Sequence, residues 1–448
     1  MACFYSWTFF DASALQRGLT RRPSFPGLPV GSGVLNRLSK RPYVTNNLLV
    51  IELEAAVQRI LTALPQPTGE RVPLLTAAGR FLAGQVTAPV DLPPFDNSAM
   101  DGYAVRAGDL TGAGIDSPIP LRVIGKIPAG GDFGGEVHAG ECVRLFTGSP
   151  MPRGADAVIM QEDTRPGSEG EVLMCDSVRV GESVRRRGDD VAAGSVIGRP
   201  GEALTPGRIA LLAASGVSEV DAGRRPTVGL LATGSELREP GQPLGPGLIY
   251  ESNRATLGPL IAQTGAVPRI YPLVPDTLPA TCEALEAAFA QCDIVITSGG
   301  ASVGELDFVK AAFEKLGGVL EFWKVAIRPG KPFVFGNYAG KYLFGLPGNP
   351  VSAFVTFLLL ARPALLRWQG AAETGLRPRR ATLATPLQNK GDRRHFIRVT
   401  LDARGNAFSA GKQASHALAS LAGANGLVDL AAGESQPAGA TVSVLEWH

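Results

Sequence analysis

Histidine is scarce in this chain of 448 residues, which contains only His138, His395, His416 and His448. A Ser-His-Asp or Cys-His mechanism therefore has few candidate bases, and each histidine reads first as structural or surface. The five cysteines, Cys3, Cys142, Cys175, Cys282 and Cys292, are odd in number, include no Cys-x-x-Cys and have no histidine pair nearby. That pattern argues against a disulfide framework or a structural zinc site and favours a reducing, cytoplasmic compartment. Excess charge is also lacking. A formal net charge of +2 gives no reason to expect nucleic acid or an acidic membrane as partner. No apolar run reaches the roughly 18 residues needed to span a bilayer. The longest, Val351 to Ala361, stops at Arg362 and Pro363.

What is present is turn-forming sequence. Glycine at 55 and proline at 35 are high for a helical protein and point to many β turns and shaped loops. Hydrophobic content of 45% and charged content of 19% fit a soluble globular chain. The length is too great for one core, so about three or four domains are expected. Residues 1–47 stand apart, with apolar residues near Met1 followed by Arg17, Arg21, Arg22, Arg37, Lys40 and Arg41 among Ser, Pro and Gly. They read as a targeting leader, a flexible tail or an over-long reading frame, and the expectation is poor order.

Leu48 to Leu64 has helical spacing, with Val57, Ile60, Leu61 and Leu64 on one face and Pro65 as its stop. Leu74 to Asp91 reads as an apolar helix followed by a short strand, Gln85 to Val90. Between residues 93 and 194 the segments Leu121 to Ile127, Glu141 to Phe146, Ala157 to Glu162 and Glu171 to Val180 alternate at period two, separated by Gly/Pro clusters. This is a β-rich module. From Arg224 to Gly370 strands alternate with helical stretches, including a helix from Asn253 that Pro259 should kink and another from Thr277 to Gln291. Strands joined by helices imply a parallel sheet with crossovers on both faces, whose ligands sit beyond the carboxyl ends of the strands. After Arg379 short strands return, Ala381 to Leu387, His395 to Leu401 and Thr441 to Leu445, suggesting a small β domain.

The α/β region is organised around Asp293-Ile-Val-Ile-Thr-Ser-Gly-Gly-Ala-Ser-Val-Gly-Glu-Leu-Asp307. Ile294 to Thr297 read as a buried strand, Ser298, Gly299 and Gly300 break it, and Leu306 to Leu316 resume at helical spacing. Such a turn aims backbone N–H groups and a helix N-terminus at one point, which suits a phosphate or another oxyanion. Loops beginning at Thr233 and Leu346 leave neighbouring strand ends and should converge on it. Together the loops offer carboxylates, Glu236, Asp276 and Asp307, and cations, Lys324, Arg328 and Lys331. Acids and bases of both signs around anion-shaped turns suggest an anion bound with a metal, such as Mg²⁺ on a phosphate. The bland alternative is a set of surface ion pairs, which are common and contribute little.

Six stretches carry a resemblance to a known family. They are Pro94-Phe-Asp-Asn-Ser-Ala-Met-Asp-Gly-Tyr-Ala104, Thr147-Gly-Ser-Pro-Met-Pro-Arg-Gly-Ala-Asp-Ala-Val158, Thr233-Gly-Ser-Glu-Leu237, Ser298-Gly-Gly-Ala-Ser-Val-Gly304, Arg328-Pro-Gly-Lys-Pro332 and Gly345-Leu-Pro-Gly-Asn-Pro-Val-Ser352. From Leu48 onward the chain resembles the molybdopterin molybdenumtransferases, the MoeA and gephyrin E-domain family. The resemblance implies a multidomain α/β protein. Residues 48–92 and 195–224 would form an elongated linking region, 93–194 an inserted β-rich module, 225–372 a parallel-sheet α/β pterin-binding domain and 373–448 a C-terminal β domain. It implies an enzyme that takes adenylylated molybdopterin and molybdate with Mg²⁺ and releases molybdenum cofactor and AMP. It also implies a homodimer in which the β-rich module of one subunit approaches the α/β domain of the other, with a molybdopterin adenylyltransferase as a further partner.

By the same resemblance, Asp101 and Thr147 would contribute from the module, and Glu236, Asp276 and Asp307 would serve the pterin, phosphate and Mg²⁺. Ser298, Gly299, Gly300 and Pro332 would line the substrate site, and the oxyanion pocket would be built from Ser302, Arg328, Lys331, Arg398 and Ser415, with Lys324 beside it. Asp190 also matches a family acidic position. Three residues depart from the pattern: Arg328 stands where lysine is usual, and Ser235 and Glu251 each stand where aspartate is frequent. Arg and Lys are not equivalent where a compact charge is needed, so oxyanion affinity and metal geometry are the properties at stake. Two other readings compete: an adenylyltransferase acting on free molybdopterin, and a gephyrin-like scaffold without turnover.

Overall fold

The computed structural model describes residues 50–300 and 308–447. The expected N-terminal extension, residues 1–47, and the end of the glycine turn, including Ser302 and Asp307, lie outside the described residues.

The α/β region forms one six-stranded sheet from β1 (Thr227–Ala232), β2 (Val267–Ile270), β3 (Ile294–Ser298), β4 (Val319–Lys324), β5 (Pro332–Tyr338) and β6 (Lys341–Leu346). Their order is β2-β1-β3-β6-β5-β4. β2, β1, β3 and β6 are mutually parallel, whereas β5 and β4 run antiparallel at one edge. The expected parallel sheet is there in four strands, and an antiparallel pair adds to it at one edge. A tight reversal is the cause: Ala339 and Gly340 both take positive φ, which turns β5 directly into β6 without a crossover helix.

Four apolar or β-branched residues in a row, Ile294 to Thr297, let β3 be buried on both faces. Ile294 and Ile296 pack on one side against the helix α1 (Asn253–Gln263) and the long helix α4 (Pro350–Trp368). Val295 packs on the other against α2 (Leu278–Gln291) and α3 (Phe308–Lys315), through Leu285, Phe289, Val309 and Phe313. α2 begins where Thr277 accepts a hydrogen bond from the Ala280 N–H, an N-cap followed by Pro279 in the first turn.

Arg362 and Pro363 do not end α4. The five residues Phe357–Ala361 widen into a π turn ahead of Pro363, whose ring would otherwise meet the carbonyl four residues back. At 19 residues α4 has the length and apolarity of a membrane span, but 89% of its apolar stretch is buried inside the fold. Core packing accounts for that apolarity.

Leu53–Ala63 is a helix as expected, but Leu53, Ala56 and Ile60 join the α/β core rather than a separate linking unit. The expected helix after Leu74 is absent: only a 3₁₀ turn, Leu74–Thr76, forms before Gly79 turns the chain at positive φ. Strand Gly69–Pro73 pairs with Glu219–Gly223, and Val86–Thr87 with Val196–Gly198, so segments before and after the module close on each other. The module itself is a six-stranded sheet in which Gly102–Val105 pairs with Glu141–Leu145 and Ala157–Met160, and Ile119–Ile127 pairs with Glu141–Leu145 and Glu171–Met174.

In the C-terminal region five strands close into a small barrel: Arg394–Leu401, Asn406–Ser409, Arg377–Leu383, Thr441–Glu446 and Gly426–Leu430, the last returning to the first. A short strand of the α/β region, Ile327–Arg328, adds to this barrel with Arg328 in register opposite His395. That pairing brings the two regions together at one edge.

Candidate active site

Three strand ends meet in register. Ala232 of β1 lies opposite Ser298 of β3, and Ser298 opposite Leu346 of β6. The loops that follow are tied at once: the Thr233 N–H donates to the Ser298 carbonyl at 3.0 Å and the Gly299 N–H to the Leu346 carbonyl at 3.1 Å. The expected convergence of the three loops is what the chain does. β1 leads through α1 to β2 on one side, and β3 lies on the other, so the crevice opens where the connections change direction.

Glycine is required at this turn. Gly299 has φ +89°, and a Cβ there would stand 2.5 Å from the Thr233 carbonyl oxygen. Gly300 has φ +66°, with the Val309 side chain 2.4 Å from its would-be Cβ. The resulting crevice, about 660 Å³, is lined by Ser298, Gly299, Gly300, Glu236, Asp276 and Pro332 among others. These are six of the residues expected in the site.

The acids differ in what they are free to do. Asp276 exchanges two hydrogen bonds with Ser235: the Ser235 N–H donates to Oδ2 and the Asp276 N–H donates to the serine Oγ, both at 3.0 Å. Ser235, where aspartate is frequent, thus fixes Asp276 instead of adding a charge. The Glu236 carboxylate has no partner among the described residues. Glu251 is spent on structure: it is 4% exposed, takes the Arg254 N–H at 2.8 Å on one oxygen and the Arg254 Nε at 3.0 Å on the other. Among the described residues no group of three metal-binding side chains gathers. Glu236 and Asp276 are the pair the crevice offers.

Beside the crevice lies a second hollow, about 520 Å³, lined by Arg328, Gly330, Lys331, Ser352, Gln413 and Ser415 with their neighbours. Pro332, Asn349 and His416 line both spaces and form the shared wall. Among the described residues no carboxylate lines this hollow. Neither Arg328 nor Lys331 has an ion pair or side-chain hydrogen bond among the described residues. Unpaired cations without opposing acid attract an anion strongly.

Arg398 lines neither space. It is fully buried, and its guanidinium donates to the Lys412 carbonyl at 2.8 Å, the Ala414 carbonyl at 3.2 Å and Ser420 Oγ at 3.1 Å, leaving Nη1 unpartnered. It shapes the segment that carries Ser415, whose carbonyl accepts from the Val351 N–H at 3.1 Å. Lys324 is likewise outside both hollows, its ammonium 4.3 Å from the centre of the Trp323 ring, where it and Lys310 flank the indole. Asp101 and Thr147 meet each other in the module, with the Thr147 N–H and Oγ1 each donating to Asp101 Oδ1 at 2.8 Å. Those two bonds hold the Asp101 carboxyl below its ordinary range. Neither residue lines the crevice of its own chain. Asp190 stays at the module exit, its N–H donating to the Leu92 carbonyl at 3.0 Å.

Sequence reasoning missed three lining residues. Thr233 is 8% exposed with an unpartnered hydroxyl at the crevice wall. Asn253 bridges two loops, its amide donating to Ser298 Oγ at 2.6 Å and to the Gly348 carbonyl at 2.8 Å. His416 stands in the shared wall. A polar residue at a strand end or helix start was the only available signal for the first two; nothing local marks the third.

A larger cavity, about 760 Å³, opens elsewhere, between the Pro206–Ala214 helix and α4. Two of its cations are already engaged, Arg208 by Glu202 and Arg362 by the Thr374 and Gly375 carbonyls.

Three family descriptions match the chain in order: the MoeA N-terminal region (domain I and II) over residues 51–216, a probable molybdopterin binding domain over 229–367 and the MoeA C-terminal region (domain IV) over 380–447. The chain is 40% identical over 382 residues to the molybdopterin molybdenumtransferase of Haemophilus influenzae, covering 84% of this chain and 93% of that one. It is 41% identical over 365 residues to molybdopterin molybdenumtransferase 2 of Mycobacterium tuberculosis, covering 80% and 90%. The crystal structure of the molybdopterin biosynthesis moeA protein from Pyrococcus horikoshii matches with a TM-score of 0.76 at 32% identity, over 89% of this chain and 100% of that one. With all three regions matched in order and the relatives covered almost end to end, the chain belongs to the molybdopterin molybdenumtransferase family, transferases of molybdenum cofactor biosynthesis.

Proposed function

We propose that the chain inserts molybdenum into adenylylated molybdopterin, using molybdate and Mg²⁺ and releasing molybdenum cofactor and AMP. One observation carries this reading: an acid-lined crevice around a glycine turn shares a wall with a hollow that, among the described residues, holds unpaired cations and no acid. The pair suits two anions of different kinds, a phosphate-bearing pterin in the crevice and a metal oxyanion in the hollow.

An anionic substrate entering an acid-lined crevice needs a bridging cation. Glu236 and Asp276 present hard oxygen donors, and Mg²⁺ commonly takes one or two carboxylates together with phosphate oxygens and water, so the donor set fits. Asp307, from the far end of the turn, would join them. Bound there, Mg²⁺ supplies charge neutralisation at the phosphoanhydride. The chain does the rest by positioning. The Gly299-Gly300 backbone and Thr233 hydroxyl fix the substrate, and Asn253 keeps two of the loops at one spacing. Arg328 and Lys331 hold molybdate one wall away, so its transfer to the dithiolene becomes effectively intramolecular.

Asp101 and Thr147 line neither the crevice nor the hollow beside it in their own chain, which supports a homodimer in which one copy's module completes the other's crevice. Mixing Asp101→Ala chains with Glu236→Ala chains then restores activity that neither has alone, because one site per mixed dimer is intact. No recovery contradicts the shared site.

Incubation with adenylylated molybdopterin, Mg²⁺ and molybdate releases AMP if the reading is right. Consumption of ATP with free molybdopterin instead would mark an adenylyltransferase. Asp307→Ala abolishes AMP release while leaving the fold intact; unchanged turnover would remove Asp307 from the site.

A further inference from the structure

Behind Arg328, on the barrel side, lies another hollow of about 330 Å³. Arg328, Lys390, His395, Ser409 and Gln413 are on its wall, and among the described residues no carboxylate is. His395 is 4% exposed, yet neither ring nitrogen has a hydrogen-bond partner. Two unmet polar atoms at a cavity wall cost free energy unless something in the cavity engages them.

The wall is built. His395 lies on strand Arg394–Leu401 in register opposite Arg328. Gln413 is locked to the same strand: its Oε1 accepts from the Arg398 N–H and its Nε2 donates to the Arg398 carbonyl, both at 2.9 Å. Asn389, 1% exposed, donates to the carbonyls of Arg393, Leu430 and Ala431 and accepts from the Gly391 N–H. That cradle fixes the loop bearing Lys390. Neither Lys390 nor Arg328 has an ion pair among the described residues.

We propose that this hollow is a second oxyanion subsite for a small tetrahedral dianion of the sulfate, phosphate or molybdate type, with Arg328 reaching both it and the first hollow. Lys390 and the Arg328 guanidinium supply charge, and the neutral imidazole of His395 donates one N–H. A forked guanidinium has donors enough for two neighbours, where lysine offers a single point of charge. The inference rests on the oxyanion reading of the first hollow only through Arg328, since Lys390 and His395 belong to the second alone.

The test is tungstate titration of the full chain at ionic strength held constant with chloride, followed by calorimetry and by the imidazole resonances. Two binding steps are expected. Lys390→Ala and His395→Asn each weaken one step about tenfold or more and spare the other, as expected for losing a charge-assisted contact. Lys331→Ala removes the other step. The His395 resonance follows the first group of variants and that of His416, in the first hollow, the second. A single step that Lys390→Ala leaves unchanged, or a His395 resonance that does not move, overturns the subsite. Loss of the Lys331-dependent step alone would instead overturn the proposed function of the first hollow. Competition by sulfate and phosphate marks a general anion subsite, and competition by molybdate alone marks a second place for the metal oxyanion; both support the proposal.

Discussion

The crevice and the first hollow share three wall residues yet are built by opposite means. The crevice is made of backbone: three parallel strand ends in register, their loops tied by main-chain hydrogen bonds, and two glycines that no other residue can replace. The hollow is made of side chains, brought from the Arg328–Pro332 loop, the start of α4 and the Gln413–His416 segment of the barrel region. A backbone site is rigid because the sheet is rigid. A side-chain site borrowed from two regions can be tuned one residue at a time.

The largest effect should come from breaking the backbone site. Gly299→Ala puts a Cβ 2.5 Å from the Thr233 carbonyl at a φ of +89°. Turnover should fall by about 100-fold or more, with stability lowered by about 1–3 kcal/mol, measured by AMP release and by denaturant unfolding. Retained activity would mean the turn does not hold the substrate. Next is Lys331→Ala, for which the molybdate concentration at half-maximal rate should rise about 10- to 100-fold with little change for the pterin. Arg398→Ala acts on the same hollow at one remove, by releasing the Lys412–Ser415 segment. Its loss should show as lower thermal stability together with a raised molybdate requirement, whereas a purely oxyanion-binding role would shift the second alone.

The smallest effect on turnover comes from the barrel side, where the consequence is a pH dependence of stability. Burial, with Arg328 and then Arg398 nearby, pushes the His395 imidazole down to about 4. The folded chain therefore binds fewer protons there than the unfolded chain, for which about 6.5 is ordinary, so stability falls as pH drops through that window. The loss amounts to about 3 kcal/mol by pH 4 and grows no further below it. His395→Asn should flatten the slope of stability against pH between these values, and an unchanged slope would place the loss elsewhere.

Much of the comparison was legible in the sequence because local pattern decides it. The run Ile294 to Thr297, the glycines after it and Thr277 ahead of an amphipathic stretch each carry their own signal, and each became the expected element. What pattern could not give was partnership. β5 has no local signal of its own, yet it is a strand because the Ala339-Gly340 turn folds it against β6. Leu53–Ala63 looks the same whichever core receives it. Arg398 matched a family position, but only the fold reveals that its charge is bound up in carbonyls of its own segment. Glu251 and Asp276 are both carboxylates at strand or helix borders, and their different neighbours, Arg254 and Ser235, separate a structural acid from an available one.

The two spaces can be separated in a single kinetic comparison. AMP release is measured for Lys331→Ala and for Glu236→Ala, varying molybdate and adenylylated molybdopterin in turn. Two hollows of opposite charge predict that Lys331→Ala raises the molybdate requirement alone and that Glu236→Ala weakens turnover on the pterin side without moving the molybdate requirement. If both variants shift both requirements alike, crevice and hollow are not separate binding places and the division of labour drawn between them is wrong.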